Sequence, residues 1–175
     1  APTLTAFEAL YVGEAGKIVP GMEEIVARLP PNTARAQLLG GLPVAADKRE
    51  RYRLAWDRLL AMVKALYDAK VTLVIGTDDL GGVMLHHELA LFARAGVPNA
   101  AILRMATTEA ARSLGLQRQV GSIAKGLRAD LVVVDGDPLT RIEDASRVVT
   151  VVRGDVMFDA AAVSRSTNVA PVVGR

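Results

Sequence analysis

The sequence predicts an α/β fold in which helices flank buried strands, with a smaller β-rich part toward its carboxyl end. Three observations predict it. The run Val71-Thr72-Leu73-Val74-Ile75 is too short for an independent helix and reads as a strand covered on both faces. A stretch of three- and four-residue apolar periodicity, residues 47–70, leads straight into it. Beyond residue 120 the period shortens to β-branched runs punctuated by Gly and Pro. A helical half followed by a β half describes a barrel-type α/β piece joined to a small β subdomain.

Composition agrees. The 175 residues are 51% hydrophobic and 4% aromatic, which suits an Ala/Val/Leu-rich globular protein. No apolar run approaches the roughly 20 residues of a membrane span, so no membrane partner is expected. A net charge of +2, with Arg scattered among acids, argues against nucleic-acid binding. The absence of Cys removes disulfides, thiolate zinc sites and Cys nucleophiles together. The chain opens at Ala1 in Pro2-Thr3-Leu4-Thr5, which reads as the middle of a longer sequence, and localisation stays unknown.

Taken in order, residues 1–10 are expected to form a short strand, with Pro2 tolerated at its start. Residues 11–46 form an insertion of loop and helical turns, with Pro30-Pro31 and one amphipathic piece that places Met22, Ile25, Val26 and Leu29 on one face. Excursions of this length are commonly lids, binding loops or plain insertions. In the helix of residues 47–70, Tyr52, Trp56, Leu59, Leu60, Val63, Leu66 and Tyr67 share a face, so Trp56 and the two Tyr belong to the core. A second helix, residues 83–95, buries Leu85, Leu89 and Phe92 and is closed by Gly96. Pro98 starts a third, and Thr107 or Thr108 caps a fourth that ends at Gly115. Residues 130–135 form a strand, and residues 147–152 and 156–158 flank Arg153-Gly154-Asp155 as a hairpin. Residues 1–118 thus make a partial barrel unit and residues 119–163 a partial β-sandwich, with residues 164–175 as a coil tail.

The chemistry concentrates at Asp78. In parallel α/β folds the functional groups lie just beyond the carboxyl ends of the strands, and Asp78 follows the strand at that place, ahead of Gly81-Gly82. The plain alternative is a turn former or helix cap.

The ordered series Gly76-Thr77-Asp78, His86, Glu88-Leu89, Ala106-Thr107, Ala110-Ala111, Leu114-Gly115-Leu116, Gly121-Ser122-Ile123, Gly126, Arg128-Ala129-Asp130-Leu131 and Asp137-Pro138-Leu139 resembles the end of the metal-dependent amidohydrolase superfamily, nearest the imidazolonepropionase-like and prolidase-like hydrolases. The resemblance implies that the chain is the C-terminal part of a (β/α)8 TIM-type barrel, strands 7–8 with their helices, beside part of a small β-sandwich. It implies a small-molecule substrate, hydrolysis of C–N bonds in amides, cyclic amides or Xaa-Pro peptides, and a divalent metal, usually zinc, as one or two ions. It makes Asp78 both metal ligand and catalytic base: zinc lowers the pKa of a bound water toward about 7, and a carboxylate in reach accepts the proton. His86 matches a His that would line the substrate pocket.

The family's His-x-His pair, its bridging Lys or carboxylate and its two further His ligands have no counterpart here. His86 and His87 are the only histidines, and adjacent helical positions point about 100° apart, so they do not clamp one metal together. His87 and Glu88 read as solvent-facing or supporting residues. The expectation is therefore a chain inactive alone, in need of the missing N-terminal portion in cis or in trans, with homo-oligomerisation left open. A non-catalytic remnant or complementing subunit is the competing reading. Weaker alternatives are Asp78-Asp79 as a magnesium site, Asp135-Gly136-Asp137 as a calcium loop, and Gly81-Gly82 as a phosphate cradle lacking the usual Lys.

Overall fold

Helix α1 (Leu4–Val12) replaces the strand expected over residues 1–10. The reason lies 84 residues away, where the Glu88 carboxylate accepts the N–H groups of Leu4 and Thr5 and satisfies a helix start that its own sequence does not cap. In this computed structural model residues 1–78, 82–167 and 169 are described. The insertion contains two short helices, α2 (Glu23–Val26) and α3 (Pro31–Ala36). Met22, Val26 and Leu29 are buried along one side, as the amphipathic pattern requires.

Helix α4 (Arg49–Asp68), entered through a 3-10 turn at Ala46–Lys48, carries the principal buried stripe. Trp56, Leu60 and Val63 lie within it, and Tyr52 packs its ring against Tyr11 at 5.6 Å. At the end of α4 the Lys70 N–H donates to the Tyr67 carbonyl and the Val71 N–H to the Leu66 carbonyl, with Lys70 left-handed at φ 60°. This turn redirects the chain into residues 71–77.

That run forms no helix and pairs with no strand among the described residues, and it is not covered on both faces. Leu73 is buried in the core beside α4, whereas Val71 is 47% exposed. The faces of a parallel strand are buried by helices packed on both sides of its sheet, and among the described residues no second strand builds such a sheet around this run.

Helix α5 (Val83–Arg94) is the hub of the main core. Its Leu89, Leu91 and Phe92 meet Leu4, Trp56, Val63 and Leu73, together with Ile102 and Met105 of α6 (Asn99–Ala106). Gly96, at φ 92°, closes α5 in the conformation only glycine adopts without strain, as expected. Helix α7 (Thr108–Ser113) comes next without the expected hydroxyl cap. The Thr107 hydroxyl instead donates back to the Leu103 carbonyl, and that of Thr108 to the Arg104 carbonyl.

The carboxyl part is a three-stranded antiparallel sheet in the order β1 (Asp130–Val134), β2 (Val148–Arg153), β3 (Val156–Asp159). Arg153 pairs with Val156 across a two-residue turn that has Gly154 at φ 65°, the geometry of a tight hairpin. The coil expected over residues 164–175 is corrected in part: helix α8 (Ala160–Thr167) runs through its first residues, capped where the Asp159 carboxylate accepts the Ala162 N–H. Asn168 and residues 170–175 lie outside the described residues.

Candidate functional site

Asp78 stands exposed at the carboxyl end of the apolar run. Two residues earlier, a Cβ on Gly76 would lie 3.1 Å from the Cβ of Ala1, so the amino terminus of the chain is laid against this end. The Thr77 hydroxyl is buried without a hydrogen-bond partner among the described residues. Asp79, Leu80 and Gly81 lie outside the described residues, and with them the Asp78-Asp79 magnesium reading and the phosphate cradle.

The chain re-enters at Gly82, φ 81°, and starts α5 at Val83. One turn on, His86 is half-buried; its Nδ1 is enclosed and has no hydrogen-bond partner among the described residues. Burial first, and the Arg28 guanidinium second, hold its pKa below the usual histidine value. Both causes favour the neutral imidazole over the charged one. His87 and Glu88, expected to face solvent or give support, are both buried, at 5% and 0% exposure. The His87 Nε2 lies 2.6 Å from the Glu8 carboxylate, whose other oxygen accepts from Arg94 at 3.0 Å. The Glu88 carboxylate accepts the Thr5 N–H at 2.7 Å, the Thr5 hydroxyl at 2.9 Å and the Leu4 N–H at 2.9 Å. Burial nevertheless outweighs these bonds and raises the Glu88 pKa. Thus two acids, one from each helix, tie α1 to α5.

The insertion folds onto the start of α5. Its neck closes where the Gly41 N–H donates to the Gly13 carbonyl and the Leu42 N–H to the Leu10 carbonyl. Val19, Met22, Val26 and Leu29 then form a second small core around Met84, with Val83 packed against it. Gly21 comes over the ring of His87, where an added Cβ would sit 3.7 Å from Cε1. The insertion therefore walls the helix start that lies beyond Asp78.

The donor set does not make a metal centre by itself. No three His, Cys, Asp or Glu residues gather among the described residues, and one exposed carboxylate does not hold zinc tightly. The calcium reading fails on hydrogen bonding. The Asp137 carboxylate is occupied by the Leu139 N–H and the Thr140 hydroxyl, and Asp135 is engaged by Arg147. Sequence reasoning missed Glu8, Arg94 and Arg28. Only Glu8 carried a signal, as the lone acid within the apolar run Leu4-Thr5-Ala6-Phe7-Glu8-Ala9-Leu10.

Comparison with known proteins gives the family of the chain. A 5-methylthioadenosine/S-adenosylhomocysteine deaminase of Syntrophobacter fumaroxidans is 34% identical over 113 residues, which are 57% of this chain and 25% of the deaminase. The chain thus spans about a quarter of the length of that relative. Among solved structures, a prolidase complexed with N-methylphosphonate-L-proline is 27% identical, with a TM-score of 0.55 over 73% of this chain and 31% of the prolidase. A bottromycin amidohydrolase, 22% identical, superposes with a TM-score of 0.64 over 97% of this chain and 40% of its own, a likeness of fold. The profile of the amidohydrolase family matches residues 46–157, a span that runs from the approach to α4 through Asp78 to β3, and the chain belongs to that family.

Proposed function

We propose that this chain supplies the carboxylate of Asp78 to a site that hydrolyses C–N bonds, the class of bond that a deaminase or a prolidase breaks with water. The observation that carries the reading is an exposed carboxylate at the carboxyl end of an apolar run, inside the span matched to the amidohydrolase family. Asp78 accepts the proton of the attacking water and passes it to the leaving nitrogen. His86, one turn into α5 and held toward its neutral form by burial, stands at the pocket wall on the substrate side. The insertion over residues 11–46 closes the pocket wall above the start of α5.

A divalent metal, implied by the family and most simply zinc, would activate the water. The described residues do not gather a metal centre, so we assign its remaining donors to polypeptide beyond these 175 residues, joined in cis or supplied in trans. In this reading the 175-residue chain alone neither retains stoichiometric zinc nor turns over substrate. Soluble, zinc-loaded, active protein made from this chain alone would overturn that assignment.

The direct test is Asp78→Asn in the protein translated from the complete reading frame, assayed on Xaa-Pro dipeptides, cyclic amides and 5-methylthioadenosine. Loss of a general base costs on the order of a hundred- to ten-thousandfold in kcat. Because Asp78 is exposed in this chain, the metal-free protein should melt where the parent's metal-free form does. A loss of less than about tenfold on a substrate that the parent protein turns over would refute the role of Asp78 and favour a non-catalytic, complementing chain.

A further inference from the structure

We infer that His87 is a positioning residue for the pocket wall: held by Glu8, it is the seat on which the Val19-Pro20-Gly21-Met22 turn of the insertion rests. The turn itself is dictated locally. Pro20 and Gly21 occupy its two central positions, Gly21 at φ 88°, and the Met22 N–H donates to the Val19 carbonyl at 3.0 Å, which together make a type II turn. The Gly21 N–H donates to the Glu23 carboxylate at 2.8 Å, so the turn leads directly into α2. Where the turn stands on the molecule is decided elsewhere.

Helix α5 decides it. Met84 and His87 are three residues apart and so share one side of the helix. Met84 enters the small core with Val19, Met22, Val26 and Leu29, which brings the insertion to the start of α5. His87 meets the turn there, with Cε1 3.7 Å from where a Cβ of Gly21 would stand. A side chain that only filled space would need no polar partner. The buried His87 instead commits its Nε2 to the buried Glu8 carboxylate at 2.6 Å, and Arg94, further along α5, donates to the other oxygen of that carboxylate at 3.0 Å. Each of these groups is buried at tolerable cost because the other is in place, and the hydrogen bond sets the direction of the imidazole as well as its position. The insertion is thus docked at two points, an apolar one that holds it to α5 and a hydrogen-bonded one that sets where the turn stands. The functional meaning of the seat rests on the reading of the insertion as pocket wall given above; the seat itself does not.

The test joins amide hydrogen exchange, followed by mass spectrometry, to steady-state kinetics, both on the protein translated from the complete reading frame. The Met22, Val26 and Ala27 amides are hydrogen-bonded within the turn and α2, and a helix of four residues has no stability of its own, so loss of the seat shows as faster exchange. His87→Gln puts an amide nitrogen near the place of Nε2, which keeps a donor for Glu8 while removing the ring. Exchange over residues 19–27 should rise about tenfold with α4 unchanged. On whichever substrate named above the parent turns over, KM should rise about fivefold with kcat within about twofold of the parent, the signature of lost uniform binding. Gly21→Ala attacks the seat from the turn: the new methyl meets nothing nearer than Cε1 at 3.7 Å, but φ 88° strains any residue with a Cβ. Alone it should have the same two effects. With His87 already Gln the turn is free to relax, and the change should add little, as coupled sites do. Because Gly21 is exposed, this variant keeps the test readable if His87→Gln loosens the whole fold. Unmoved exchange over residues 19–27, or strict additivity of the two changes, would overturn the seat; faster exchange with KM unmoved would overturn its part in the pocket wall. If KM moves as expected but Asp78→Asn leaves activity intact, the role of Asp78 fails and that of His87 stands.

Discussion

Met84→Ala should separate the insertion from the rest of the fold without unfolding it. Met84 is fully buried, at 0% exposure, and is the α5 side chain around which Val19, Met22, Val26 and Leu29 assemble. The change deletes three heavy atoms from a packed position. Transfer and cavity costs together come to about 2–5 kcal/mol for Met→Ala, and about 3 kcal/mol fits a small cluster that relaxes partly into the gap. The main core, from Leu4 and Trp56 to Phe92 and Ile102, contains no residue of this second cluster. The loss should therefore fall on local opening of residues 18–34, raising their exchange about a hundredfold. Protection of α4 and of the Leu89–Phe92 side of α5 should change much less. Hydrogen exchange followed peptide by peptide makes the measurement. An even rise across α4, α5 and the insertion would show one cooperative core and refute the reasoning.

The other predictions concern the buried charges and the neck. Glu8→Ala strips the acceptor from both His87 and Arg94 and should cost about 3 kcal/mol in urea denaturation, while Glu8→Gln, which retains one acceptor, should cost about 1 kcal/mol; equal losses would deny that the pairing matters. His86 should titrate in NMR below the ordinary histidine value, and Arg28→Gln should move it only part of the way back, because burial is the larger cause. A histidine whose folded pKa is lowered contributes stability above about pH 6.5 that is lost as pH falls through the folded value; Glu88, raised, contributes stability at low pH that is lost as pH rises through its folded value. Glu88→Gln should therefore flatten the fall of stability with rising pH above about pH 4.5, and an unchanged pH profile would refute that sign. Gly41→Ala would place a Cβ 2.2 Å from the Ala9 carbonyl oxygen and 2.4 Å from that of Leu10, so the neck must open; near-parental stability and unchanged exchange at residues 10–16 would refute the closed neck.

Much of this architecture was legible because it is local. The periodicity of residues 47–70 gave α4 with Trp56 in its core, Gly96 marked the end of α5, and Gly154 marked the hairpin, each decided by residues within a few positions of one another. The amidohydrolase resemblance was legible for a related reason, since it rests on short motifs kept in order, from Gly76-Thr77-Asp78 to Asp137-Pro138-Leu139. The failures share the opposite character. Residues 1–10 read as a strand because the group that caps α1, Glu88, is 84 residues from Leu4. The run at residues 71–75 read as doubly covered because five apolar residues carry no record of whether neighbours exist to cover them.

The buried charges are the instructive case. His87 and Glu88 stand in α5 where a polar pair beside His86 suggests a solvated face, yet they are more enclosed than Leu85 of the same helix. A buried carboxylate is tolerated only with donors in place, and α1 brings to Glu88 the N–H groups that its own sequence leaves uncapped. Each element thus satisfies a polar group that the other could not bury alone, and the match exists only once both are folded. No pattern within either segment encodes it.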